Sequence, residues 1–348
     1  MSVFQSPILA ITGLSLACLA VPGLANSPPI AATGSGSSVQ SQAALPELGS
    51  AESAKSDSQA APEGQYTQAQ INEMINNPLG ELWILFGQND TTWYDGDALD
   101  FLGEGDKVFN TTTLQPVMPF QLTENWKYIF RPVFTINSWD LPSVSEGTPT
   151  FYPGGELPGS VDWKREWALG DTVLWNAFAT NEMAKPPNIF GFGATVMVPT
   201  ATEESFGTGK WGVGPMALAV HVGPPKGWIA GVVAQHWWDV AGPSNRDSVS
   251  LSNIQYLLYY RYSDSINIGF GPNITADWTA ESDQRWTVPV GLGFNTTTKI
   301  GKLPVKIGLE AYYYVESPDN FGPQWNLRLI FSPVVPKPAF SKRPLFGG

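Results

Sequence analysis

From Pro78 onward, apolar residues recur at every second position almost to the end of the chain. Between Asn125 and Asn137, one face carries Trp126, Tyr128, Phe130, Pro132, Phe134 and Ile136, and the other carries Lys127, Ile129, Arg131, Val133 and Thr135. Between Ser265 and Trp278, Ile266, Ile268, Phe270, Ile274 and Trp278 alternate with Asn267, Gly269, Gly271, Asn273, Thr275 and Asp277. Trp286, Val288, Val290, Leu292 and Phe294 behave in the same way, as do Leu303, Val305, Ile307, Leu309 and Ala311 around Lys306, Gly308 and Glu310. A period of two is a strand pattern, because successive side chains point to opposite faces. Aromatics gather near the segment ends, and the polar face is rich in Gly, Asn and Thr. Segments of about ten residues, apolar outside and polar inside with aromatic ends, are the mark of a transmembrane antiparallel up-and-down β-barrel. A soluble β-sandwich shares the alternation but accounts for neither the aromatic ends nor that polar face.

The links decide between the two. About twelve strands are predicted, near residues 80–90, 107–121, 125–137, 167–181, 188–200, 209–223, 227–240, 249–262, 265–278, 284–298, 302–315 and 323–333. Short links (Leu122–Glu124, Glu182–Pro187, Pro224–Lys226, Ser263–Asp264, Lys299–Gly301) alternate with longer ones (Thr91–Asp106, Ser138–Glu166, Ala201–Thr208, Ala241–Ser248, Thr279–Asp283, Glu316–Gly322). Short periplasmic turns and long outer loops are the barrel habit, and a Greek-key sandwich has no reason to alternate them. Ten residues at about 3.4 Å, tilted near 40°, reach roughly the height of a barrel's apolar band. The barrel is expected over 79–333.

Ahead of it, residues 1–25 read as an export signal, with an apolar run from Ile8 to Ala25 ending in Gly-Leu-Ala before Asn26. Cys18 lies inside that run, with Ser15 where a lipoprotein signal prefers Leu, and is read as part of a discarded segment. Residues 26–65 are rich in Ala, Ser, Gly, Pro and Gln and are expected to be a disordered linker. Residues 66–78 can form a short amphipathic helix, with Thr67 as cap and Ile71, Met74 and Ile75 on one face. Residues 334–348 form a Pro-rich tail.

Composition sharpens this picture. Only 14 % of residues are charged and 12 % are aromatic, with 14 Trp, which suits a surface set in lipid rather than water. A net charge of −12 argues against nucleic acid as a partner, since phosphate binding needs a basic face. Catalytic and metal patterns are few. His221 and His236 have no accompanying zinc-site spacing, and no G-x-S-x-G elbow exists. Asp277, Glu281 and Asp283 cluster at a strand end, and the acidic stretch Asp95–Asp106 lacks calcium-loop spacing; both read as solvated carboxylates. No enzyme activity, cofactor or metal is expected. The four N-x-T triplets, beginning at Asn89, Asn110, Asn273 and Asn295, read as ordinary strand composition.

Several ordered motifs carry a resemblance: NPLGELWILFGQ from Asn77, then LQPVMPF, TGKWGVGP, RWTVPVGLG, KIGKLPV and AYYYVESP…QWNLRLIF. Across about residues 77–333 the chain resembles a family of outer-membrane β-barrels named for the phenol meta-cleavage pathway, whose members are labelled transporter or, misleadingly, neuromedin U. The resemblance implies a bacterial outer-membrane location and passage of small, often aromatic, compounds. The family offers no catalytic residues to carry over. The expected function is thus a passive channel or transporter-like pore, with outer-membrane lipid, the barrel-insertion machinery and a small-molecule solute as partners. The alternatives are a secreted Trp-rich β-sandwich that binds or cleaves glycans, and a non-conducting structural barrel.

Twelve strands about 4.8 Å apart and tilted near 40° enclose a backbone radius of roughly 12 Å, half of it taken up by side chains. Lining residues would decide what passes. By the alternation Lys127, Arg131, Asp277, Arg285, Lys306, Glu310 and Arg328 point inward, with Arg261 beside them. Charges in so narrow a space are expected to pair across strands with opposite signs.

Overall fold

The computed structural model describes residues 83–181, 188–223, 226–301 and 303–335. The expected signal, linker and amphipathic helix lie outside the described residues, as does the tail beyond Val335. Fourteen strands follow one another: β1 (Trp83–Asp95), β2 (Lys107–Gln121), β3 (Trp126–Tyr152), β4 (Gly155–Leu169), β5 (Thr172–Thr180), β6 (Asn188–Val198), β7 (Trp211–Val222), β8 (Trp228–Ala241), β9 (Ser250–Arg261), β10 (Ile266–Phe270), β11 (Asn273–Asp277), β12 (Trp286–Ile300), β13 (Leu303–Glu316) and β14 (Gly322–Val335). One short helix, α1 (Asp97–Leu102), sits in the link between β1 and β2. Each strand pairs antiparallel with its neighbours, and β14 returns to β1 with Asp90 opposite Arg328 and Trp93 opposite Trp325. β10 and β11 are two pieces of one barrel strand, and β4 stands off the circuit against β3. The result is a closed antiparallel barrel of twelve strands.

β3 is 27 residues long and serves two partners. Its first half, through Val133, pairs with β5, and its outer part from Ile136 pairs with β4. The link Ser138–Glu166, expected as a loop, is therefore mostly a β-hairpin that extends the wall beyond the other strands. Most outer residues find ladder partners within the hairpin, with a register shift between Glu146 and Thr150, so no further barrel strand is needed there. The hairpin tip stands at the long-loop end. A protease site inserted beside Pro153 is expected to be cleaved on intact cells, whereas one beside Lys226, in a short turn, is expected to be protected. Cleavage at Lys226 with protection at Pro153 would show the reverse orientation.

The alternation sorts most of the side chains, although Val305 on β13, expected on the same face as Leu303 and Ile307, is fully buried. Phe134, Phe192, Leu292, Phe294, Leu329 and Phe331 are exposed on the outer face, while Ile129, Leu218, Ile229 and Val233 are buried within. Trp211, Trp238, Trp278 and Trp325 are exposed toward the long loops, and Trp126 and Trp228 toward the short turns. A continuous apolar band of this kind exceeds anything water tolerates on a monomer and is the surface of a barrel in lipid.

Two polar features interrupt the band. On the outer face of β1 and β2, Asn89 and Asn110 exchange amide hydrogen bonds (2.8 and 3.0 Å), and their remaining N–H groups donate to Thr112 and Thr91 (2.8 and 2.9 Å). Four polar side chains at lipid depth thus satisfy one another, which removes the cost of leaving them unpaired in an apolar medium. Two of the four N-x-T triplets owe their asparagines to this pair.

The second feature is a seam in the wall. β10 pairs with β12 as far as Gly269 opposite Gly293, and β11 resumes at Thr275 opposite Thr287. Between them the register is unchanged, yet residues 270–274 make no ladder with 288–292. Pro272 and Pro289 fall in these stretches and bring no N–H donors. Gly271 instead turns its peptide groups inward: its N–H donates to the Tyr312 hydroxyl (3.4 Å), and its carbonyl accepts from Arg328 Nη1 (3.0 Å). From outside, the Tyr256 hydroxyl reaches across the seam to the Pro289 carbonyl at 2.5 Å, and its ring meets Phe270 edge-on.

Candidate functional site: the barrel lumen

The inward faces divide the lumen lengthwise. From β2 round to β9, a wall of Val117, Ile129, Trp175, Leu218, Ile229 and Val233 forms one apolar cluster. Opposite it, β13, β14 and β1 carry charge. Arg328 Nε donates to Asp90 (2.7 Å), and its Nη1 lies 3.9 Å from Glu310. Glu310 is only 1 % exposed and accepts from the hydroxyls of Tyr259 (2.6 Å) and Tyr312. Arg328 also spans the seam through the Gly271 carbonyl, so one guanidinium joins β1, β13 and β14 to the kinked strand. Such a cluster repays its desolvation because its members are shared among several charge-assisted bonds. Gly291 and Gly293 on β12 make room for it; a Cβ at Gly291 would lie 2.6 Å from the Tyr312 ring, and one at Gly293 2.5 Å from Glu310 Cγ.

Between the two walls sit two cations on aromatic faces. The Arg131 guanidinium lies 4.1 Å from the centre of Trp175 and 5.9 Å from that of Phe86. Lys306 Nζ lies 5.9 Å from Phe86 on its own side and 5.2 Å from Tyr259. Phe86 is therefore flanked by both. Arg131 is 8 % exposed, and its polar partner is the neutral carbonyl of Gln115. The expected pairing of opposite signs thus holds for Arg328 with Asp90 and Glu310, whereas Arg131 takes ring faces and an amide instead.

The remaining candidates lie away from this centre. Lys127 and Arg261 are buried at the short-turn end, where Arg261 donates to the Gly223 carbonyl. Asp277 is buried at the long-loop end and accepts from the Thr279 N–H (2.9 Å) and hydroxyl (2.6 Å), which organises a turn. Arg285 lies over the Trp278 ring at 5.6 Å and donates to the Ala280 carbonyl (3.1 Å). The geometry thus gathers Arg131, Lys306, Glu310 and Arg328 at mid-lumen and leaves Lys127, Arg261, Asp277 and Arg285 at the two ends. Asp90, Phe86, Gln115, Trp175, Tyr259 and Tyr312 complete the central group and were not singled out from sequence; each has the inward parity of its strand, which was the available signal. His221 and His236 make side-chain bonds to Asn188 (2.7 Å) and Ser252 (2.8 Å).

Toward the long loops a series of rings packs together. Tyr94, Phe109, Trp139 and Phe206 follow one another with centroid separations of 4.4, 5.1 and 4.7 Å. Lys107 Nζ sits 4.5 Å from the Trp163 ring beside them.

Closed wall, apolar outer band and polar-on-apolar interior define a narrow transmembrane barrel whose inside is lined by two unlike walls. No family model matches the chain, and no curated protein matches it, so the resemblance to the meta-cleavage family rests on the sequence motifs alone. Among solved structures, the chain is similar to an outer membrane channel from Pseudomonas putida F1, at 18 % identity over 73 % of this chain and 96 % of that one, with a TM-score of 0.46. It is also similar to the CymD monoaromatic hydrocarbon channel, at 11 % identity over 76 % of this chain and 91 % of that one (TM-score 0.39). A further likeness is to the Ralstonia pickettii toluene transporter TbuX, at 10 % identity over 76 % and 93 % (TM-score 0.37).

Proposed function

We propose that the protein is a passive channel of a bacterial outer membrane for small hydrophobic or aromatic solutes. The observation that carries this reading is the split lumen. A small ring could slide along the apolar wall from β2 to β9 without stripping water from the Asp90, Arg328 and Glu310 cluster, which is already committed to its own bonds. Arg131 and Lys306 sit against ring faces, so the passage favours solutes that carry a ring over small, strongly hydrated ions. The outer-membrane location rests on the apolar band, on the short and long links, and on the export signal read from residues 1–25.

A second reading, a non-conducting structural barrel, draws support from how completely the interior is filled: Lys127 and Glu310 are each 1 % exposed. Reconstitution separates the two. Purified full-length protein in proteoliposomes is expected to speed the entry of a small aromatic solute and to show discrete single-channel steps in a planar bilayer. Folded, heat-modifiable barrel that gives neither steps nor solute entry would establish the structural reading instead.

A further inference from the structure

We infer that mid-lumen holds a binding site for an aromatic carboxylate, with Arg131 as its anion-binding residue. The inference deepens the channel reading and rests on it for the route by which the ligand arrives. Arg131 is more than nine-tenths buried, yet no carboxylate lies within ion-pair distance of it among the described residues. Its Nη2 donates to the neutral Gln115 carbonyl, and its Nε is buried with no hydrogen-bond partner. A buried guanidinium with an idle donor is costly, because ring faces and one amide replace only part of its lost hydration. An arriving carboxylate would supply the missing acceptor and the missing charge together.

The surroundings set the rest of the ligand. The guanidinium lies over the rings of Trp175 and Phe86, at 4.1 and 5.9 Å. Lys306, the second cation on Phe86, has no ion pair within reach among the described residues, since Glu310 is taken up by Tyr259, Tyr312 and Arg328. A small ring stacked beside Phe86, with its carboxylate toward Arg131 and within the field of Lys306, meets both demands. An aliphatic anion would satisfy the cations but gain nothing from the aromatic surroundings. A neutral aromatic would do the reverse.

The test uses the full-length protein folded in detergent, with benzoate, acetate and benzyl alcohol as probes in titration calorimetry. Benzoate is expected to bind, with acetate and benzyl alcohol each at least about tenfold weaker, the scale of one charge-assisted hydrogen bond. Arg131→Gln is expected to weaken benzoate by about tenfold or more, and Arg131→Lys, which keeps the charge, by less. Heat-modifiable migration confirms that each variant is folded; if Arg131→Gln is not, Lys306→Gln, expected to weaken benzoate severalfold, takes its place. No benzoate binding to the wild type, or binding untouched by loss of the cation, overturns the inference. Bilayer conductance is measured in parallel. Benzoate binding without conductance would keep the site and remove the channel, and conductance without benzoate binding would do the opposite.

Discussion

Replacing Arg328 with Met is expected to destabilise the folded barrel by about 3–5 kcal/mol, the usual cost of removing one partner from a buried ionic cluster. Asp90 and Glu310 would remain in the lumen without their shared cation, and the inward-turned Gly271 carbonyl would lose its donor. The loss lies mostly in what is left behind rather than in the bond itself. The triple variant Asp90→Asn, Glu310→Gln, Arg328→Met, which removes all three charges, is therefore expected to recover much of the stability. Urea unfolding of the barrel refolded into phospholipid vesicles, followed by tryptophan fluorescence, measures both. A triple variant no better than the single one would mean that Arg328 acts through Gly271 and the seam rather than through charge.

The neighbouring position supplies the second large effect from the opposite face of the same strand. Leu329 is 54 % exposed near the middle of β14, opposite Leu309 on one side and Asn89 on the other. Leu329→Arg places a guanidinium in the hydrocarbon band and is expected to cost roughly 2–4 kcal/mol near the midplane. Leu327→Arg, two residues closer to the Trp93–Trp325 girdle, is expected to cost less, because the charge can reach the interface. The same unfolding measurement ranks them. Equal, small effects at both positions would show that this face meets water, as in a secreted sandwich.

Most of the architecture was legible because the period-two signal is local. Each strand's alternation is read from about ten consecutive residues, and the short and long links follow from what lies between. The hairpin formed by outer β3 and β4 was not legible, since Pro142–Thr150 is mostly polar and begins and nearly ends with a proline, Pro142 and Pro149; above the lipid a strand needs no apolar face, so the pattern stops while the pairing continues. The inward parity of Arg131, Lys306, Glu310 and Arg328 could be read, but their partners could not. Asp90 and Arg328 stand 238 residues apart and meet only because the barrel closes, and Arg131 meets Trp175 only through the register of β3 on β5. The expectation that every lumen charge pairs with its opposite failed at Arg131 for this reason. Its seats are the rings of Trp175 and Phe86, which the alternation alone does not single out. The seam was hidden as well: Pro272 and Pro289 are unremarkable singly, and their effect depends on facing stretches of adjacent strands.

A closed barrel normally owes its resistance to unfolding to having no edge strands, so that no backbone pair can part before the whole ring gives way. The unpaired stretches 270–274 and 288–292 are the longest of several gaps in the ring, residues 115–117 facing 131–133 being another, and they restore two short edges inside it. Their backbone groups do not protect one another across the seam, and the Tyr256 hydroxyl spans it from the lipid side. Local opening of this barrel should therefore start there and spread along β12, giving the molecule a preferred line of fracture that runs beside its most heavily bonded charged cluster.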